Sequence, residues 1–225
     1  MDLSRIEGTF TAPDEVISIV GCGAIGSQVA LQLTKLGCTK FHLYDLDQVD
    51  SHNLVNQAYR AEQVGQTKVD ALKALIHELN EKAEVKTFHG ESEELLKLEE
   101  RLEGYVFLCP DKVSVRKHCL TKNRTSPAVL GWFDCRTELW AVQVFGRKHT
   151  AEDIKSLLDT LDFTDEEAEA SIPRASSGCH SKQASGITSA LGALTMAKLF
   201  VDFVKTNAIK IFTRIDVENF NIDSF

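Results

Sequence analysis

The sequence is short of positive charge and of paired cysteines. Lys and Arg number 25 against 33 Asp and Glu, a formal net charge of -8. Non-specific binding to nucleic acid or to an anionic membrane needs a basic surface, so neither partner is expected. The six cysteines stand at 22, 38, 109, 119, 135 and 179, and none forms a CxxC pair. A zinc site of the usual spacing is therefore not expected. Six cysteines are few for a disulfide framework in 225 residues, which points to a reducing compartment such as the cytoplasm. The opening MDLSRIEGTFTAPDE lacks the apolar run of a signal peptide, and none is expected. The longest apolar stretch, 186–204, carries Lys198 and Asp202 and does not read as a membrane span. Internal repeats and PXXP tracts are absent too.

What is present is enough for a full core. Apolar residues make up 43% of the chain, and the length suits one α/β domain. VISIV (16–20) reads as a buried parallel strand, and 24–36 as a helix closed by Gly37. FHLYD (41–45) is a second strand, 68–80 a helix, and 85–89 a third strand. YVFLC (105–109), a helix over 113–121 and AVLGWF (128–133) follow. This alternation predicts a doubly wound, Rossmann-like, mostly parallel sheet. TELWAVQVFG (137–146) alternates as an antiparallel strand or hairpin arm, placing antiparallel strands at the C-terminal edge. The stretch 150–183 is polar and small-residue rich and reads as an exposed, mobile connection. A helix over 184–206 and a strand over 210–218 complete the chain. The expected organisation is one domain over 1–225: a nucleotide-binding part, 16–133, and an extension, 134–225.

The first strand runs into GCGAIG (21–26), which fits GxGxxG with a strand before it and a helix after. Glycines there let phosphate oxygens approach backbone N–H groups at the positive end of a helix. The same pattern also serves as a tight β–α turn. Asp45 ends the second strand, where a carboxylate can take both ribose hydroxyls or stand solvated. Asp47 can hold a metal or orient neighbouring donors. Asn53 and Gln57, in HNLVNQ, can bind phosphate without titrating. Lys68 opens a helix next to Gly65; it either balances phosphate charge or lies on the surface. Asp111 follows the fourth strand at the carboxyl edge, where a carboxylate holds Mg²⁺ on a triphosphate or caps the next helix.

VGCGAIGSQVA, YDLDQVDSHNL, VGQTKVDAL and CPDKVSVR stand in one order across 16–117. Together they resemble the E1-like adenylating family, which includes the molybdopterin- and thiamine-biosynthesis adenylyltransferases and the ubiquitin-activating enzymes. CHSKQASGITSALGALTMAKLF resembles that family's late cysteine and helix. The resemblance implies ATP- and Mg²⁺-dependent activation of a carboxylate. Its usual substrate is the C-terminal glycine of a ubiquitin-like or sulfur-carrier protein, and its usual assembly is a homodimer. Gly21, Gly23, Ala24 and Gly26 would line the nucleotide, with Asp45 on the ribose and Asp47 beside it. Asn53, Asn56, Gln57 and Lys68 would face phosphates, and Asp111 would hold Mg²⁺. Cys179, before a helix and beside His180, would be either a thioester nucleophile or a structural thiol.

The chain departs from the family pattern in places. Asn56 stands where the family's NLxRQ has arginine; Arg60 just beyond it, Arg5 ahead of the first strand, or an arginine from a partner would replace it. Ala24 stands for a loop glycine, and Lys112 follows Asp111 in place of asparagine. An impaired subunit that binds nucleotide or carrier, or an enzyme acting on a small-molecule carboxylate, stays open beside the first reading. An NAD-dependent oxidoreductase would leave Lys68, Asp111 and HNLVNQ without a role.

Overall fold

The computed structural model describes residues 1–90, 97, 101–138, 140–170 and 186–225, the side chains of 169 and 170 excepted. ISIV has no polar-outward alternation because both of its faces are covered. It forms β1 (Ile17–Val20), every residue of which is buried. β2 (Lys40–Tyr44), β3 (Glu84–Phe88), β4 (Gly104–Leu108) and β5 (Val129–Thr137) follow, then β6 (Ala141–Lys148), β7 (Phe212–Asp216) and β8 (Asn221–Ser224). They make one eight-stranded sheet in the order β3-β2-β1-β4-β5-β6-β7-β8. The pairs up to β4–β5 are parallel, and β5–β6, β6–β7 and β7–β8 are antiparallel. The expected doubly wound sheet with an antiparallel C-terminal edge is thus what the chain forms. Its order over the first five strands is that of the dinucleotide-binding folds, whose ligands lie beyond the carboxyl ends of the strands.

The helices are α1 (Gly26–Lys35), α2 (Lys68–Leu79), α3 (Val113–Lys122), α4 (Ala151–Asp159), α5 (Asp165–Ala170) and α6 (Gly186–Thr206). α6 is the one described helix long and apolar enough to cross a membrane. Here it lies against β5, β6 and α1. Phe200 inserts between Tyr105, Phe107 and Phe133 at edge-to-face angles, with centroids 5.1 to 5.8 Å away. Burying one such ring contributes about 1.5–3 kcal/mol.

One expectation is sharpened and two change. β5 runs four residues past Phe133 to Thr137, and Ala141–Lys148 returns antiparallel as β6, so 137–146 holds the end of β5, the connection and most of the expected hairpin arm. Asp134 and Arg136 lie between the two expected strands, and Asp134 is paired there with Arg116 and Arg136. The described part of 150–183 is exposed along much of its length but is folded: α4 and α5 occupy it, and Ile154, Leu157 and Leu161 are fully buried. Thr150 caps α4 by accepting from the Asp153 N–H at 3.1 Å. Cys179 and His180 lie outside the described residues. Finally, the last strand stops at Asp216, and Asn221–Ser224 returns as an edge strand.

Candidate active site

The site begins where β1 ends. Gly21 has φ +85, a left-handed conformation that glycine adopts without strain. Its N–H donates to the Tyr44 carbonyl at 2.8 Å. A Cβ on Gly21 would sit 2.7 Å from the Pro110 nitrogen, so the loop and the turn after β4 are in direct contact. A Cβ on Gly26 would fall on the Gly21 carbonyl, which explains the closeness of α1 to its strand. At Gly23 the opposite holds: a Cβ there meets nothing within 4 Å. Ile25 gives α1 no side-chain cap. An uncapped helix start beside an open glycine is a cradle an anion fits.

Asp45 closes this loop from the β2 side. Its carboxylate accepts from the Cys22 N–H at 2.5 Å and from the Asp47 N–H at 2.8 Å. It is 9% exposed. Burial pushes its carboxyl above the usual carboxylate range, opposed by the nearby Lys68 cation and by the two N–H donors. His89 Nδ1 lies 3.0 Å from the Asp45 carbonyl and fixes the strand end.

Lys68 is the first residue of α2, whose N-cap Thr67 accepts from the Asp70 N–H. The lysine is buried, and its Nζ donates to the Asp47 carboxylate at 2.6 Å. The Lys68 N–H donates to the Asp47 carbonyl at 2.9 Å. Asp47 is therefore the group that aims Lys68. Tyr59 joins the two halves, donating to the Cys22 carbonyl at 2.6 Å, with the Lys68 carbonyl 3.2 Å away. The sequence gives Tyr59 no signal, because its role rests on two backbone carbonyls.

The HNLVNQ segment lies between β2 and α2. Asn53 is buried as an internal cap: its side-chain oxygen accepts from the Asp50 N–H at 2.9 Å. Asn56 and Gln57 line a cleft of about 320 Å³ along α1 with Gln28, Gln32 and Lys35. Gln28 donates to the Asn56 carbonyl there at 2.9 Å, and Gln57 Oε1 is buried without a hydrogen-bond partner. Arg60, a candidate to replace the missing arginine, pairs instead with Glu78 of α2.

Asp111 follows Pro110 in the turn that touches Gly21, at the carboxyl end of β4. It does not cap α3. Asp165 of α5 does so, accepting from the Val113 N–H at 2.5 Å and from the Ser114 hydroxyl at 2.6 Å. That cap comes from a residue 52 positions beyond Val113. No cluster of three potential metal-binding side chains occurs among the described residues. Mg²⁺ on a nucleotide needs no such cluster, since it is held by one or two carboxylates plus phosphate. One carboxylate beside an open helix start fits that mode. Cys22, Cys38, Cys119 and Cys135 are buried, and burial pushes the Cys38 and Cys135 thiols up to about 12.

Strand order, glycine turn and buried strand-end acid define a Rossmann-like α/β protein. The chain belongs to the ThiF family, whose model matches residues 14–207. Ubiquitin-like modifier-activating enzyme 5 of Arabidopsis thaliana is 38% identical over 72 residues, 32% of this chain and 17% of that protein. Among solved structures, the microcin C7 biosynthetic enzyme MccB in complex with N-formylated MccA superposes with a TM-score of 0.71 at 16% identity, covering 94% of this chain and 64% of that one. E. coli MccB with ATP gives 0.69 at 17% identity, covering 95% and 64%. The chain thus spans less than two thirds of these proteins.

Proposed function

We propose that the protein adenylates a carboxylate with ATP. The carboxylate oxygen attacks the α-phosphorus, an O–P bond forms, the bond to the bridging oxygen breaks, and pyrophosphate leaves. The observation that carries this reading is the convergence of an open, uncapped loop–helix start, the buried Asp45 and the Asp47-held Lys68 at one sheet edge. In this reading Gly21 to Gly26 cradle phosphate with backbone N–H groups, and Asp45 accepts from the ribose hydroxyls. Lys68 offsets charge that builds on the phosphates, aimed by Asp47 before the reaction starts. Asp111 would hold Mg²⁺, which neutralises phosphate charge when bound. No general base is needed, because the attacking carboxylate is ionised at neutral pH. The chain's own contribution is alignment and charge complementarity.

Family membership and the likeness to a protein solved with ATP support the nucleotide. The similarity to a ubiquitin-like modifier-activating enzyme supports a carrier protein with a C-terminal glycine as substrate, whether ubiquitin-like or sulfur-carrying. A homodimer and a cytoplasmic site of action belong to the same reading. A second reading has its own observation. Asn56 replaces the family arginine and Arg60 is tied to Glu78, so the chain would bind nucleotide and carrier while a partner supplies the missing cation.

Exchange of labelled pyrophosphate into ATP separates the two. The first reading predicts exchange that depends on Mg²⁺ and on a peptide ending in Gly-Gly, and that Lys68→Ala or Asp111→Ala abolishes. Nucleotide binding with no exchange for any carrier supports the second. For Cys179, a thioester role predicts a thiol-sensitive carrier adduct that Cys179→Ala removes.

A further inference from the structure

The turn that carries Asp111 is gripped from below by one side chain. Arg116 lies on α3, five residues further along the chain, and is buried. Its Nη1 donates to the Leu108 carbonyl at 3.1 Å, and its Nη2 to the Pro110 carbonyl at 2.5 Å and to the Cys135 carbonyl at 2.9 Å. Leu108 and Pro110 flank the turn, so one guanidinium holds it on both sides of Cys109. Asp134, with no exposed surface, pairs with Arg116 Nη1 and accepts from Arg136 Nε at 2.8 Å. Arg136 is anchored in turn, donating to the Thr160 carbonyl at 2.9 Å and lying over the Phe145 ring at 4.4 Å.

Two guanidiniums on one carboxylate leave an excess positive charge inside the protein. Burial, and for Arg116 also the neighbouring Arg136, lowers each to about 10, so both stay charged at neutral pH. Interior charge of this kind is costly, and similar apolar side chains would hold the fold as well or better. What the arrangement supplies is a backbone fixed in place. The turn is held by Gly21 above and by a planar fork of donors below, which lysine cannot reproduce. The Asp111 carboxylate lies close enough to Arg116 to favour its charged form.

We propose that Arg116, held by Asp134 and Arg136, is a positioning residue that sets the Asp111 carboxylate for a divalent cation. The proposal rests on the adenylation reading for its ligand. Divalent cations of this class demand near-ideal geometry. A loosened turn therefore weakens metal binding before it weakens nucleotide binding.

The test is titration of Mn²⁺, followed by its electron paramagnetic resonance signal, in the presence of a non-hydrolysable ATP analogue. Analogue binding without metal is measured separately by calorimetry. Arg116→Lys is expected to weaken Mn²⁺ by about tenfold or more, as loss of a group behind a metal ligand does. Analogue binding without metal falls by clearly less than Mn²⁺ binding does, since Asp45, Lys68 and the loop glycines are unaltered. Asp111→Asn reproduces the Mn²⁺ defect. Unchanged Mn²⁺ affinity in Arg116→Lys, alongside a clear loss in Asp111→Asn, overturns the positioning role and leaves the adenylation reading standing. An unaltered protein that binds no nucleotide overturns both. Should Arg116→Lys fail to fold, hydrogen exchange of the unaltered protein decides. A pre-set turn predicts that the 105–116 segment is equally protected with and without Mn²⁺ and analogue. A segment that exchanges freely and slows only on binding overturns the proposal.

Discussion

The sheet holds two buried carboxylates at its carboxyl edge, and they are treated in opposite ways. Asp134 on β5 has no exposed surface and two arginines of its own. Asp45 after β2 has two backbone N–H donors, while the nearest lysine is spent on Asp47. Asp134 is saturated and therefore structural. Asp45 is held but not neutralised, and burial raises its pKa accordingly. The parallel half of the sheet thus keeps its polar groups available, and the junction with the antiparallel half locks its own away. Perturbed groups left with open valence are the ones that do chemistry.

The largest effect expected from this contrast is at Asp134. Asp134→Ala strands one buried and one partly buried guanidinium and should cost about 3–5 kcal/mol in urea unfolding. A loss below about 1 kcal/mol would mean that water reaches the pair, as it does for exposed ion pairs. The loop glycines divide along the same line. Gly26→Ala should cost about 1–3 kcal/mol of stability, because its Cβ lands on the Gly21 carbonyl. Gly23→Ala should leave unfolding unchanged and weaken nucleotide binding, since its Cβ enters open space. Equal melting losses for both would refute an open cradle.

Asp45 shows its effect in pH dependence. The folded state holds this proton more tightly than the unfolded chain, so its ionisation opposes folding. Relative to Asp45→Asn, the wild type should gain stability as pH falls from neutrality towards the usual carboxylate range. A stability difference that is flat with pH would contradict the buried, unneutralised acid. The smallest effect belongs to Arg60→Ala. Its exposed pair with Glu78 should be worth less than about 1 kcal/mol, and pyrophosphate exchange should be unaltered. A large drop in exchange would return Arg60 to the phosphates.

The parallel half was legible because its signals are local. A four-residue apolar run, a glycine turn and an acid at a strand end lie within thirty residues of one another. Lys68 was legible only as a helix-start lysine; its partner Asp47 became clear from the fold. The rest was hidden for one physical reason. Asp134 and Arg136 fall between two expected strands and Asp165 inside an expected exposed connection, and each is explained by a partner far along the chain or on another element. The same holds for 150–170, whose acidic residues mask the apolar spacing of Ile154, Leu157 and Leu161 that packs it down. In HNLVNQ the local cap made by the Asn53 side-chain oxygen was not legible, because its donor is a backbone N–H.

The central claim is that a carboxylate oxygen becomes bonded to the α-phosphorus of ATP. It is tested by giving the protein Mg²⁺, ATP and a Gly-Gly-ending carrier peptide whose terminal carboxylate carries ¹⁸O, then releasing the product with hydroxylamine. Attack at the carbonyl leaves the labelled oxygen on phosphorus, so the recovered AMP should contain ¹⁸O by mass spectrometry. Unlabelled AMP, or ADP as the product, would contradict the account.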